Sequence, residues 1–183
     1  MNAALPWLDV RRAEAIETFR VKGVPHRRIE EWKYSDVHSA LTADDVAKAG
    51  TATVRISGAP TTVEIIDLAT LDETAPQWLR DQLAVDNPQG AMNAAAFGYA
   101  AGGVALRVQR NIAAGAVRLS VSGSGHARIL LVLEEGASLT LFESRETATG
   151  LRNIGADIVL AANAQLAHIV IEPEAPDAVR VDS

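Results

Sequence analysis

After Gly102-Gly103 the helical spacing of apolar residues stops, and this break constrains the fold more than any other feature of the chain. Val104, Leu106 and Val108 alternate with other residues, as do Val117, Leu119 and Val121, and then Leu139 and Leu141. A period of two places one face of a strand in a core, and the unbroken apolar run Ile129 to Leu133 suits a strand buried on both faces. Gly, Asn and Ser punctuate these segments, so the second half reads as short strands joined by turns. An internal echo runs through it: Ile112-Ala113-Ala114-Gly115-Ala116, Leu133-Glu134-Glu135-Gly136-Ala137 and Leu160-Ala161-Ala162-Asn163-Ala164, at offsets of 21 and 27 residues. Gly and Asn tolerate a left-handed backbone and Ala fits a tight interior, so the pattern suits a repeated corner. Coils about twenty to thirty residues apart are what solenoids show, while a two-sheet sandwich of antiparallel strands fits the same pattern.

The first half is organised differently. Leu8, Ala15, Ile16 and Phe19 recur near helical spacing, which predicts a helix over 9–22, and Gly23 with Pro25 stops it. Thr42-Ala43-Asp44-Asp45 has the polar start of a short helix reaching about Ala49. Val54 with Ile56, and Val63 with Ile65, predict two strands around the turn Gly58-Ala59-Pro60. Pro76 suits the first position of a helix carrying Trp78, Leu79 and Leu83 and ending at Asn87-Pro88, and alanine propensity predicts another from Gln89 to Phe97. The chain therefore divides into a helical region with two strands, 1–98, and a strand region, 99–183.

Composition excludes more than it selects. With 183 residues, 48% hydrophobic and 22% charged, the chain has the make-up of a soluble globular protein. A net charge of -6 leaves no basic footprint, so neither nucleic acid nor an anionic membrane is an expected partner. No apolar run of about eighteen residues could span a bilayer, and MNAALPWLDVRR lacks the pattern of a secretory signal, so a cytoplasmic location is expected. There is no cysteine, which removes disulfides, thiolate metal sites and any cluster held through the chain's own sulfur. His26, His38, His126 and His168 are scattered without metal-ligand spacing, so no bound cofactor or metal site is expected.

Catalytic readings fail in turn. Glu134-Glu135 are adjacent and read as solvated charge rather than an acid and base pair. Gly123-Ser124-Gly125-His126 lacks the nucleophile elbow and reads as a flexible turn. His126 is followed by Ala127 and Arg128, so the H-x-H of a cupin-type metal barrel is missing. His168 alternates with Leu166 and Val170 and reads as a half-buried, hydrogen-bonded structural histidine. Glu143 and Glu172 follow their apolar runs at comparable places, as stacked acids or as solvent-facing strand ends.

One stretch stands apart: Gly23 to Leu41, GVPHRRIEEWKYSDVHSAL, sets Trp32 and Tyr34 among six charges. On physical grounds both aromatics anchor the segment to its own domain, although such a pair could also face a partner. The motif Gly23-Val24-Pro25, Arg27-Arg28 and Glu30-Glu31-Trp32-Lys33-Tyr34-Ser35 resembles the N-terminal region of SufD, a scaffold subunit of the SUF iron–sulfur cluster assembly system, in the SufB/SufD family. Asn93-Ala94-Ala95-Ala96-Phe97, the run Arg128 to Ala137, and Leu141-Phe142-Glu143 are similar to the same family, so the resemblance spans nearly the whole chain. It implies a mainly β fold with an N-terminal α/β region, the strand region being the first coils of a right-handed parallel β-helix, a single-stranded solenoid that is here truncated.

The resemblance further implies a non-catalytic scaffold whose partners are a SufB-like subunit and a SufC-like ATPase. Any iron–sulfur cluster belongs to the whole complex, and no cofactor is bound by this chain. The family's proposed cluster residues lie in later coils and none is carried over. Gly23, Pro25, Arg28, Glu31, Trp32, Lys33 and Tyr34 are then structural or partner-facing motif residues. Family members are more than twice this length, so the chain is expected to be an N-terminal fragment, or else a short relative that covers its open end as a homodimer. Two other readings stay open: a polysaccharide-active β-helix enzyme, for which the strand region offers only Phe142 as an aromatic platform, and a stand-alone interaction module.

Overall fold

Alternation in the second half of the chain becomes two sheets facing one apolar interior. The computed structural model describes residues 5–83, 90–173 and 178–182. The strands are β1 (Thr53–Ser57), β2 (Val63–Asp67), β3 (Gly103–Val108), β4 (Ala113–Ser122), β5 (Gly125–Leu133), β6 (Ser138–Arg145), β7 (Gly150–Leu160), β8 (Gln165–Ile171) and β9 (Ala178–Asp182). One sheet has the order β1-β4-β6-β8 and the other β2-β3-β5-β7-β9. From β4 onward each strand enters the sheet opposite its predecessor, and from β5 onward each pairs in parallel with the strand two before it. Only β1 and β2, on the first edge of each sheet, pair antiparallel, with β4 and β3 respectively. The antiparallel ladders of the sandwich alternative are thus confined to these two pairs among the described strands.

The corner repeat is real, but its first member lies elsewhere. Val108, Leu133 and Leu160 are in register across β3, β5 and β7. The left-handed residues that follow them are Asn111 (φ 58), Gly136 (φ 68) and Asn163 (φ 59). The spacing is therefore 25 and then 27 residues, counted from Val108 to Leu133 to Leu160. Stacked corners bond directly: Asn111 N–H donates to the Glu135 carbonyl at 2.9 Å and Gly136 N–H to the Ala162 carbonyl at 3.0 Å. Gly115, which the sequence reading set at the first corner, instead lies inside β4, where the register shifts between Ala113 and Ala116. Its φ of +75 marks a bulge, a conformation that glycine adopts without a steric cost.

Among the described residues, helices cover only one sheet. Those of the first region are α1 (Pro6–Lys22), α2 (Val37–Ala40), α3 (Ala43–Lys48) and α4 (Gln77–Gln82), followed by α5 (Ala91–Tyr99). α1 begins three residues before the predicted start, because Pro6 sits in its first turn, where a missing N–H costs nothing. α3 carries the expected capping box between Thr42 and Asp45. Pro76 caps α4 from outside rather than opening it, and the turns at Asn87-Pro88 and Gln89 lie outside the described residues. On the outer face of β2-β3-β5-β7-β9, Leu130 and Val132 pack with Leu5, Leu8 and Leu79, while Leu151 and Val181 pack with Phe19, Val37, Val46 and Met92. All nine residues of β5 are buried, which explains its unbroken apolar run. β4 and β6 alternate instead, because their outer face carries no helix.

α5 has almost no surface. Residues Ala91 to Ala96 are all buried between α1 and the sheet. A Cβ added at Gly98 would stand 2.6 Å from Ile16 Cγ1 and 3.1 Å from the Ile16 backbone nitrogen, and one at Gly155 would stand 2.8 Å from Ala96 Cβ. The alanine run therefore serves close approach as well as helix propensity.

Candidate functional site

Strand β6 carries its pattern past the apolar interior. Leu139 and Leu141 face the other sheet, and the same period places Glu143 and Arg145 on that face, both buried. Glu143 is 1% exposed, which overturns the solvent-facing reading of this acid. Its carboxylate accepts from Arg145 Nε at 2.6 Å and lies 2.9 Å from His168 Nε2 on β8. Arg145 Nη1 also donates to Glu172 Oε2 at 3.0 Å and to Asp182 Oδ2 at 2.9 Å. Glu172 Oε1 in turn accepts from Arg152 Nη1 at 3.2 Å and from Arg180 Nε at 3.0 Å. Arg152 closes the set through the Gly123 carbonyl at 3.1 Å and the Glu146 carbonyl at 2.6 Å.

Three carboxylates and three guanidinium groups therefore meet where the apolar interior ends. Glu143 and Glu172 do not share a place: Glu143 lies opposite Val170, Glu172 follows the end of β8, and Arg145 bridges the two acids. Burial works to raise the Glu143 carboxyl, yet hydrogen bonds from His168 and Arg145 outweigh it and hold the group below the usual carboxylate range. Burial disfavours the Arg145 cation, but Asp182 and Glu143 more than offset this and strengthen its charge. His168 has its side chain 25% exposed and bonded to Glu143, in keeping with its reading as a structural histidine. Every acid here is already held by arginine, so the cluster lacks a free carboxylate that could act as base or nucleophile. No group of three or more metal-ligating side chains occurs among the described residues. Arg145, Arg152, Arg180 and Asp182 were missed in the sequence, although alternation from Leu139 and Leu141 points directly at Arg145.

A second polar cluster ties α5 to the covered sheet. His126, expected in a flexible turn, is fully buried at the start of β5. Its Nε2 lies 2.8 Å from the Val46 carbonyl, and Asn153 Nδ2 donates to its Nδ1 at 3.1 Å and to the Met92 carbonyl at 2.8 Å. That arrangement fixes the neutral form with the proton on Nε2, and burial pushes the ring's pKa down. Arg128 is held between Asn93 of α5 and Asp157 of β7, over the ring of Phe97. At the corner tip, Glu134 binds Arg107 and Glu135 binds Arg110, so this acid pair is surface charge with arginine partners.

The motif segment folds against the helical layer. Gly23 (φ +70) ends α1, its N–H donating to the Phe19 carbonyl at 2.7 Å, and Val24 and Pro25 behind it are buried. Glu30–Trp32 forms a 3-10 turn that lays Trp32 onto the cluster of Phe19, Val37 and Met92. Tyr34 departs from the anchoring reading: it is 92% exposed, with Lys33 Nζ 5.5 Å from its ring centroid. Arg28, Glu31 and Lys33 are exposed around it. Trp32, Gly23 and Pro25 are structural, and the other four motif residues face solvent.

Residues 2–79 match the family model of the SufBD protein N-terminal region. The match covers the motif segment and less than half of the chain, and it does not separate SufD from SufB. No curated protein matches the chain. No helix among the described residues is long and apolar enough to cross a membrane.

Proposed function

We propose that the chain works in SUF iron–sulfur cluster assembly as a non-catalytic scaffold of the SufD type, in the cytoplasm, with its strand region forming the first coils of a parallel β-helix. The match of residues 2–79 to the SufBD N-terminal region carries this reading. Strands β4 to β9, taken alternately by two sheets and paired in parallel from β5 onward, support the β-helix, and an interior whose acids are all paired with arginine supports a scaffold over an enzyme. Its partners are a SufB-like subunit and a SufC-like ATPase, the chain binds no cofactor itself, and without those partners it forms a homodimer. Tyr34, Arg28, Glu31 and Lys33 are the exposed motif residues through which a partner reads the N-terminal region. Co-expression of the tagged chain with both subunits tests this: retention of either supports it, and Tyr34→Ala lowers the yield while leaving thermal unfolding unchanged. Recovery of the chain alone under low salt overturns it.

A further inference from the structure

No helix among the described residues covers the outer face of the β1-β4-β6-β8 sheet. Val54 and Ile56, Val117 and Leu119, and Leu139 and Leu141 point inward, so Arg55, Arg118, Phe142 and Ile169 stand on the opposite face. Ser57, Arg118, Phe142 and Ile169 lie side by side in one row across the four strands. Arg55 belongs to the next row, opposite Ser120 and about 7 Å along the strands.

Charge distinguishes this face from the rest of the molecule. The chain holds 23 Asp and Glu residues and a net charge of -6, yet none of the outward positions of these four strands is acidic. Arg107, Arg110, Arg128, Arg145, Arg152 and Arg180 each bind a carboxylate. Arg118 is the remaining arginine between β3 and β9, and both it and Arg55 are exposed without a carboxylate partner among the described residues. A fold that pairs its other strand-region arginines leaves these two open, beside a half-buried Phe142 and an Ile169 that is 42% exposed.

We propose that this face docks an acidic segment of a partner protein, with carboxylates on Arg55 and Arg118 and an apolar side chain on Phe142 and Ile169. An acidic partner is complementary to the face, whereas a second copy offering the same face would bring like charges together. Two arginines without a wider basic field are too few for a phosphate backbone. The proposal goes beyond the cluster-assembly reading and does not depend on it.

Fluorescence anisotropy with a labelled peptide of alternating Glu and Leu tests it, against a Lys-Leu peptide and a single-stranded oligonucleotide of similar length. The Glu-Leu peptide is expected to bind in a salt-sensitive manner, the Lys-Leu peptide not, and Arg55→Glu with Arg118→Glu to weaken binding about tenfold. The milder Arg55→Gln with Arg118→Gln, checked for an unchanged thermal midpoint, is expected to weaken it about threefold. Equal binding by wild type and both double variants, equal affinity for the two peptides, or tighter binding of the oligonucleotide overturns the proposal.

Discussion

Removing the carboxylate of Glu143 leaves Arg145 and His168 facing the end of an apolar interior with part of their pairing gone. Glu143→Ala is expected to lower stability by about 3–5 kcal/mol, the range for breaking one side of a buried ion pair, read from urea unfolding. Replacing exposed Glu135 in the same way serves as a control with little effect. His126 sets a pH dependence of known sign. Its pKa is depressed in the folded state by burial, partly countered by the Val46 carbonyl, so the unfolded chain binds the proton more readily. The stability it contributes is complete above about pH 6.5 and is lost as pH falls below that value. Glu143, also depressed, adds a second loss below about pH 4.3. Unfolding midpoints taken from pH 8 down to pH 4 should fall in these two phases, and His126→Asn should remove the first. In the sequence His126 looked like part of a Gly-Ser turn; only the packing of Tyr99, at 5.5 Å between ring centroids, and of Asn153 around it made it a core residue.

At the scale of elements, α5 and the corners show how much pattern alone could carry. The alanines predicted a helix, and helix formed, but the requirement for small residues came from Ile16 of α1 on one side and Gly155 of β7 on the other. Gly98→Ala, which raises intrinsic helix propensity, is therefore expected to lower stability by about 1–3 kcal/mol, because α1 must move to admit the methyl group; thermal unfolding measures it. The repeat was visible because left-handed corners restrict residue type. Its first member was misplaced because Gly115 and Asn111 both have positive φ four residues apart, and only strand register tells a bulge from a corner. Trp32 and Tyr34 differ for the same kind of reason: a 3-10 turn puts one ring inward and leaves the next aromatic outside.

For the whole molecule, β8 and β9 stand last in their sheets among the described strands, and Ile169, Val170 and Ile171 of β8 are exposed. Unpaired edges with aliphatic side chains favour strand addition. Sedimentation of the pure chain should show a mass that rises with concentration through the micromolar range, and Ile171→Lys should return it to the monomer; a monomer at all concentrations rules out homodimer formation. The lopsided covering of the two sheets follows from the order of elements. The helices precede β3 and pack on the sheet that β2 and β3 begin, leaving the other with its acid-free outer face.

The sequence by itself determined which half is mostly helical and which is strand, where most turns fall, and the motif by which the N-terminal region resembles a known family, because period, turn chemistry and motif are local properties of the chain. Only the tertiary structure decided which polar residues are buried, that three arginines and three acids meet at the end of the interior, and that Arg55 and Arg118 share an open face. Most of those facts depend on partners twenty or more residues away, and parallel register, which brings them together, leaves no mark in the spacing of any one strand.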